Sequence, residues 1–533
     1  VLAHKLLNEG VRHGDKVVLF MENRPSFVIS ILALNKIGAI GVLINTSLTG
    51  NPLVHCINSS GSKKCIFGEE LAGSLEGVLD DISIKNKEDI LWTEDTNSSE
   101  CPEWASNIKN SLDYSNTENL VETNQVKAKD TAFYIFTSGT TGVPKAALFP
   151  NMKIVAASTN ITNGGYRMNE NDCMYNCLPL YHSTGLMLGL CACVHVGAST
   201  FIKRKFSASS FWKEAQRFNT TAFVYVGELC RYLSVQDKCA EEQNNPIQKM
   251  VGNGLRPDVW DDFRHRFGVE RIVEIYGASE GNAMFMNILN KDKTIGMANA
   301  RVALIKYDVA EDKIIKDKDG KCIELKDGTP GLLINEIGPN AVYNGYTDKE
   351  ASEKKVLRNV FEEGDKWFNT GDLIKTMDVG FALGKTHYQF VDRIGDTFRW
   401  KSENVSTNEV AEIVNAYDDV NMANVFGVKV PNSEGRAGMV AFNCNLDHFD
   451  WSKFSAFVDD QLPAYARPVF VRVTPKLETT GTFKLKKNEL REEAFHLDKV
   501  SGDKIFVRKP KSDSYVSLDE EYYQVISKGQ AGF

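Results

Sequence analysis

Near its start the sequence alternates between two hydrophobic rhythms. Lys16–Met21 is a short apolar run of strand type, Ser26–Ile37 has helical spacing after Pro25 and stops at Gly38, and Ala39–Ile44 is a second apolar run. Strand, helix and strand in close succession form a βαβ unit, whose strands lie parallel and whose sheet needs helices to cover it. Val1–Gly10 reads as a further helical segment. Lys85–Asp130 is polar and reads as a surface excursion. The alternation resumes at the apolar strand Ala132–Thr137 and runs to about Met297. Ala300–Phe390 is strand-rich, with turns such as Asp327-Gly328-Thr329-Pro330-Gly331, and predicts a β-subdomain. After Arg393 the types mix again, with Glu409–Val414 expected as a helix and Val425–Val430 as a strand.

With 533 residues the chain is too long for one compact core. Its apolar content of 42% and charged content of 25% are those of an ordinary folded protein. The net charge of −8 gives no reason to expect nucleic acid as a partner, so an anionic ligand has to be held by local dipoles and a few cations. The 11 cysteines include no CxxC, and neither Cys173/Cys177 nor Cys191/Cys193 has a matching pair of histidine ligands; buried free thiols in a reducing compartment are expected. No secretory signal opens the chain, and Val1 already lies in the helical segment, so a truncated N-terminus is expected. The apolar run Leu186–Ala198 is shorter than the roughly 20 residues that span a bilayer, and Phe27–Ile44 carries Asn35 and Lys36; both read as core elements.

The strongest local signal follows strand Ala132–Thr137 directly: Thr137-Ser138-Gly139-Thr140-Thr141-Gly142-Val143-Pro144-Lys145. Glycines let backbone N–H groups turn towards an anion, the hydroxyls add donors, and Lys145 adds positive charge, which together make a phosphate cradle. It is not a Walker A loop, because Val143 and Pro144 separate Gly142 from Lys145 and no Ser or Thr follows the lysine.

This loop resembles the signature of the adenylate-forming superfamily of acyl-CoA synthetases, luciferases and peptide-synthetase adenylation domains, and further motifs of that family follow in order. Glu274-Ile275-Tyr276-Gly277-Ala278-Ser279-Glu280 resembles its adenine and metal motif: the resemblance implies Tyr276 stacking on adenine, Ser279 bonding a phosphate or carboxylate oxygen, and Glu280, with Thr141, holding Mg²⁺. Thr370-Gly371-Asp372 resembles the ribose motif, with Asp372 accepting the ribose hydroxyls. Asp392-Arg393-Ile394-Gly395-Asp396 resembles the interdomain hinge, with Arg393 reaching ribose or phosphates and Gly395 or Asp396 as the pivot. Thr479-Thr480-Gly481-Thr482-Phe483-Lys484-Leu485-Lys486-Lys487 resembles the catalytic-lysine motif, in which Lys484 neutralises charge developing during adenylation. The implied fold is α/β: a large N-terminal AMP-binding domain of α/β subdomains plus a β-subdomain over residues 1–394, and a small mobile α+β domain over 395–533.

Longer stretches resemble one branch, the fatty acid transport proteins and very-long-chain acyl-CoA synthetases. They are Phe206–Trp212, Tyr225–Leu233, Gly252-Asn253-Gly254-Leu255-Arg256-Pro257, Gly481–Lys484 and the ending from Tyr515 through Gly529, which also implies a complete C-terminus. The branch resemblance adds Gly254 to the nucleotide site. After Lys401 this chain has Ser402-Glu403-Asn404 where the branch usually has Gly-Glu-Asn near the pantetheine path. His182 stands where relatives place a histidine near the acyl pocket, and a structural role is the alternative. Lys203-Arg204-Lys205 and the basic run Lys504–Lys511 read either as contacts to anionic lipid headgroups or as a solvated face.

The implied activity is ligation of a long-chain or very-long-chain fatty acid to coenzyme A through an acyl-adenylate, with ATP, Mg²⁺ and CoA as cofactor and co-substrates. Association with a cytosol-facing membrane of the endoplasmic reticulum, peroxisome or plasma membrane is expected. A fatty acid carrier with secondary ligase activity, or a ligase for a bile-acid or carnitine-type substrate, are the alternatives. Chain length and oligomeric state are left open by the sequence.

Overall fold

The computed structural model describes residues 1–95, 99–138, 144–277, 281–309, 311–339, 341–343, 349–401, 403–420, 422–433, 435–475, 477–479, 487–500 and 502–533, and of residues 111, 137, 138, 349, 351 and 404 the backbone alone. It divides into two compact units. One comprises Val1–Asn253, Phe263–Gly281 and Tyr343–Lys354; the other Gly254–Asp262, Asn282–Val342 and Lys355–Phe533.

The first unit is built on two parallel ladders. Its strands in chain order are β1 (Lys16–Phe20), β2 (Ile40–Leu43), β3 (Lys64–Gly68), β4 (Ile90–Thr93), β5 (Ser106–Asn107), β6 (Thr131–Ser138), β7 (Pro144–Pro150), β8 (Cys173–Asn176), β9 (Ser199–Ile202), β10 (Ala222–Val226), β11 (Lys249–Asn253) and β12 (Arg271–Gly277). The first sheet has the order β5-β4-β3-β1-β2-β6-β7. It is parallel except for the β6–β7 hairpin. The helices Pro25–Lys36 and Gly50–Ser60 cover its two faces. Alternation along β1 shows why both are needed. Val17 and Leu19 pack with Phe27, Ile31 and Leu34 of the first helix. Val18 and Phe20 pack with Leu53, Cys56 and Ile57 of the second. Successive side chains of a strand point to opposite faces, so an unbroken apolar strand demands cover on both. The second ladder runs β9-β8-β10-β11-β12, all parallel.

The second unit holds the predicted β-subdomain, a mostly antiparallel sheet of Val302–Ile305, Gly331–Glu336, Lys366–Met377, Val356–Arg358 and His387–Arg393. Its C-terminal part has five strands in the order Met422–Val428, Ala437–Asn443, Phe470–Val473, Lys504–Val507 and Val516–Ser517, with helices Thr407–Asn415 and Trp451–Gln461 packed into the same core. Only Ala437–Asn443 and Phe470–Val473 pair in parallel, and helix Trp451–Gln461 makes their crossover. The α/β class with an α+β C-terminal part is therefore borne out.

Lys85–Asp130 is only partly the surface excursion expected. Ile90–Thr93 is a buried strand within the first sheet, with Trp92 in its core. A four-residue apolar strand inside a polar stretch is too short to raise a periodic signal. Among the described residues no helix is long and apolar enough to cross a membrane. The run Leu186–Ala198 is core-facing at Leu186, Met187 and Leu190 but exposes Val194.

Gly252 of β11 lies beside Tyr225 of β10. A Cβ there would sit 2.1 Å from the Tyr225 carbonyl oxygen and 2.6 Å from its ring. Backbone on one side cannot yield, so Gly252→Ala is expected to destabilise the protein by about 1–3 kcal/mol. Chemical denaturation checks this, and an unchanged midpoint would contradict the close approach.

Candidate active site

The phosphate-cradle motif begins on β6 and ends on β7, whose backbones pair Thr137 with Lys145 and Ser138 with Pro144. Because β6 runs parallel to β2, the motif leaves a parallel strand at its carboxyl end. In doubly wound sheets that is where ligands bind. Gly139, Thr140, Thr141 and Gly142 lie outside the described residues, as do the side chains of Thr137 and Ser138. Lys145 is half-buried at the start of β7. The exit of the loop is tied down by His55 of helix Gly50–Ser60, whose Nε2 lies 3.1 Å from the Pro144 carbonyl oxygen.

Tyr276 is half-buried at the carboxyl end of β12, next to exposed Gly277; Ser279 and Glu280 lie outside the described residues. Beneath Tyr276, Glu274 is buried and accepts a hydrogen bond from the Tyr225 hydroxyl at 2.6 Å. Burial, with Glu274 alongside, pushes the Tyr225 phenol well above its ordinary range, so it stays a donor. Asn253 ends β11, the neighbour of β12, and Gly254 follows it with φ +80°, a backbone conformation open mainly to glycine.

In the second unit Asp372 and Arg393 face each other across Lys366–Met377 and His387–Arg393. Arg393 Nε is 3.6 Å from Asp372 Oδ1, and the arginine side chain is 61% exposed while the aspartate is 13% exposed. A fixed carboxylate is thus paired with an arginine that keeps freedom to turn to another anion. The Thr370-Gly371-Asp372 bend is locally pinned. Gly371 has φ +77°, its N–H donates to Asn369 Oδ1, and its carbonyl accepts from Ile394 N–H at 3.0 Å. An acceptor carboxylate held at such a bend suits the two hydroxyls of a ribose.

Among the described residues of the second unit, the hinge motif is densely bonded. Asp392 is buried and accepts from the backbone N–H groups of Arg393 (2.8 Å) and Thr407 (2.6 Å) and from the Thr407 hydroxyl (3.0 Å). Burial pushes its carboxyl up, against the pull of Lys487 and those N–H donors. Asp396 accepts from Lys487 Nζ at 3.2 Å and Arg491 Nη2 at 2.5 Å. Burial alone would raise its pKa, but the two cations outweigh it and hold the carboxyl below its usual range. Sequence reading gave no roles to Asp392, Thr407, Lys487 or Arg491. The available signal was Ser406-Thr407-Asn408-Glu409, a helix-start pattern in which the Ser406 hydroxyl accepts from Glu409 N–H. Lys484 and Ser402 lie outside the described residues.

The remaining candidates make these local contacts. His182 Nδ1 accepts from Thr184 N–H at 3.5 Å. The basic run Lys203-Arg204-Lys205 is ion-paired, Lys203 with Glu214, Arg204 with Asp95 and Lys205 with Glu22 at 3.1 Å. Arg508 of the second run grips Asp459 with both terminal nitrogens, and Lys509 lies over the Tyr522 ring. All eleven cysteines are free thiols, and six are buried. Burial pushes Cys56 and Cys65 up to about 12, so they are inert packing groups. Among the described residues there is no group of three or more His, Cys, Asp or Glu placed to hold a metal.

Comparison with known proteins gives a family, two relatives and a like fold. Residues 1–346 match the family described as AMP-binding enzyme. The chain is similar to the long-chain fatty acid transport protein 6 of Mus musculus, 40% identical over 98% of this chain and 84% of that protein. It is also similar to the medium/long-chain-fatty-acid–CoA ligase FadD6 of Mycobacterium tuberculosis, 38% identical over 98% and 85%. In fold it is like ATP-bound MatB from Rhodopseudomonas palustris, with TM-score 0.75 and 20% identity over 93% of this chain and 92% of that one.

Glu412, on helix Thr407–Asn415, has its carboxyl pushed up to about 7 by burial, with Asp258 and Glu409 adding to the rise and Arg256 and Lys375 opposing it. A carboxyl with a raised folded pKa contributes stability that is fully present below its ordinary value of 4.5 and is lost as pH rises towards 7. Glu412→Gln is therefore expected to raise the melting temperature at alkaline pH, with the gain shrinking as pH falls towards 4.5. A gain that does not vary with pH would contradict the shift.

Proposed function

We propose that this chain, which belongs to the AMP-binding enzyme family and to its branch of fatty acid transport proteins and fatty-acid–CoA ligases, is an ATP-dependent fatty acid–CoA ligase. The observation that carries the reading is identity of 38–40% to members of that branch over 98% of the chain, spanning all five motifs in order.

In the first step a carboxylate oxygen of the fatty acid attacks the α-phosphorus of ATP and pyrophosphate leaves, giving the acyl-adenylate. The backbone and hydroxyls of Thr137, Ser138, Gly139, Thr140, Thr141 and Gly142, with Lys145, cradle the phosphates. Tyr276 and Gly254 border the base, Ser279 bonds an oxygen of the reacting groups, Asp372 holds the ribose and Arg393 turns from Asp372 towards the nucleotide. Glu280 and Thr141 supply oxygen donors suited to Mg²⁺, which offsets phosphate charge when bound. Lys484 meets the negative charge that grows in the transition state. In the second step the CoA sulfur attacks the acyl carbonyl carbon, AMP leaves, and the thiol proton passes to solvent. The division between 1–394 and a mobile 395–533 lets one domain serve both steps by rotating about Gly395 or Asp396. Support for that pivot comes from packing: Ile394 lies against the core of the β-subdomain, whereas Phe398 belongs to the C-terminal core.

The transport names of several relatives favour a coupled role at a cytosol-facing membrane, in which uptake is driven by trapping the acid as its CoA ester. Uptake that persists in Glu280→Ala or Lys484→Ala would favour a carrier instead.

The test is acyl-CoA and pyrophosphate formation over a series of chain lengths. The wild-type protein is expected to prefer long acids, and Lys484→Ala to lower adenylation roughly 10²- to 10³-fold. No acyl-CoA from any fatty acid, or unaltered adenylation by Lys484→Ala, would overturn the reading.

A further inference from the structure

The hinge motif and the end of the catalytic-lysine motif lie 91 residues apart in sequence, yet they are bonded. Lys487, three residues beyond Lys484, donates to Asp396 Oδ2 at 3.2 Å and to the Thr407 hydroxyl at 3.1 Å. Arg491, on the short helix Asn488–Glu493, donates to Asp396 Oδ1 at 2.5 Å. Both oxygens of Asp396 are therefore engaged, each by a cation. The donors and acceptors also form one consistent line. A hydroxyl has a single hydrogen and two lone pairs, so Thr407 can accept from Lys487 while donating to Asp392. The pair is a quarter exposed or less on every side chain, which raises its strength over that of a surface ion pair.

The location gives these bonds their consequence. Asp396 sits between two cores, with Ile394 packed on one and Phe398 on the other. Beside it, a Cβ built on Gly395 would meet nothing within 4 Å, so no side-chain packing holds position 395 itself. The ionic bonds to Asp396 tie the neighbouring position to the residues that follow the catalytic-lysine motif.

We propose that Lys487 and Arg491 are positioning residues, which grip Asp396 and thereby tie the end of the catalytic-lysine motif to the hinge. The proposal rests on the ligase reading and assigns that reaction two residues that touch no substrate. Lys484 is delivered to the transition state only when the segment immediately after it is held, so the grip serves adenylation. Transfer of a finished acyl-adenylate to CoA does not use Lys484 and does not need the grip.

The two half-reactions separate the possibilities in the full chain. Lys487→Ala and Arg491→Ala are expected to lower the kcat of acid-dependent adenylation roughly 10- to 100-fold with little change in the KM for ATP, as misplacement of a reacting group does. Acyl transfer from supplied acyl-adenylate to CoA is expected to stay within about threefold of wild type. Lys487→Arg, which keeps the positive charge, is expected to recover most of the adenylation rate. Unchanged adenylation in both alanine variants overturns the proposal. So does an equal fall in both half-reactions, which marks a merely structural role. A wild-type protein inert in both half-reactions instead overturns the ligase reading beneath it.

Discussion

A buried carboxylate organises the second unit. Asp392 is the penultimate residue of the strand His387–Arg393 and takes hydrogen bonds from the first turn of helix Thr407–Asn415, joining sheet to helix. A carboxylate withdrawn from water is costly unless its oxygens are satisfied, and here backbone N–H groups at a helix start, with the positive end of the helix dipole behind them, do so. Its two neighbours inherit this rigidity differently. Arg393 projects outward beside Asp372, free to turn. Asp396 is gripped by Lys487 and Arg491, more than 90 residues further along the chain. One fixed point thus supports an adaptable arginine on one side and an ionic clasp on the other.

The first unit works by a different principle. Its motifs stand where parallel strands end, β6 for the cradle and β11 and β12 for the segment around Asn253 and Tyr276. Strands covered on both faces hold such ends still, and the Tyr225–Glu274 bond and the close approach of Gly252 stiffen the second ladder beneath them. In the second unit the corresponding stiffening is ionic, through Lys487 and Arg491 on Asp396.

Much of this was legible in the sequence. The βαβ start is read correctly because Val17–Phe20 is uniformly apolar and Pro25 fixes the first turn of its helix. The β-subdomain is also legible, and the expected helix Glu409–Val414 and strand Val425–Val430 overlap the observed Thr407–Asn415 and Met422–Val428. The short strand Ile90–Thr93 escaped because three apolar residues and a threonine in a polar stretch carry no period of their own. The motif residues Asp372 and Arg393 were found one by one, and the structure brings them together through strand register, which sequence spacing does not reveal. The clasp was invisible for the same reason in stronger form. Lys487 and Arg491 look like a solvated basic run until the fold brings Asp396 to them. The basic run at Lys203–Lys205 reads as lipid contacts or a solvated face, and its pairing with Glu22, Asp95 and Glu214 appears only in the fold.

An acyl-adenylate formed reversibly before CoA arrives is the centre of this mechanism, and it has a direct signature. Labelled pyrophosphate is expected to exchange into ATP when the protein is given ATP, Mg²⁺ and a long-chain fatty acid without CoA, and to stop exchanging when the acid is withheld. Acyl-CoA formation with no acid-dependent exchange, accompanied by ADP and phosphate in place of AMP and pyrophosphate, would contradict it.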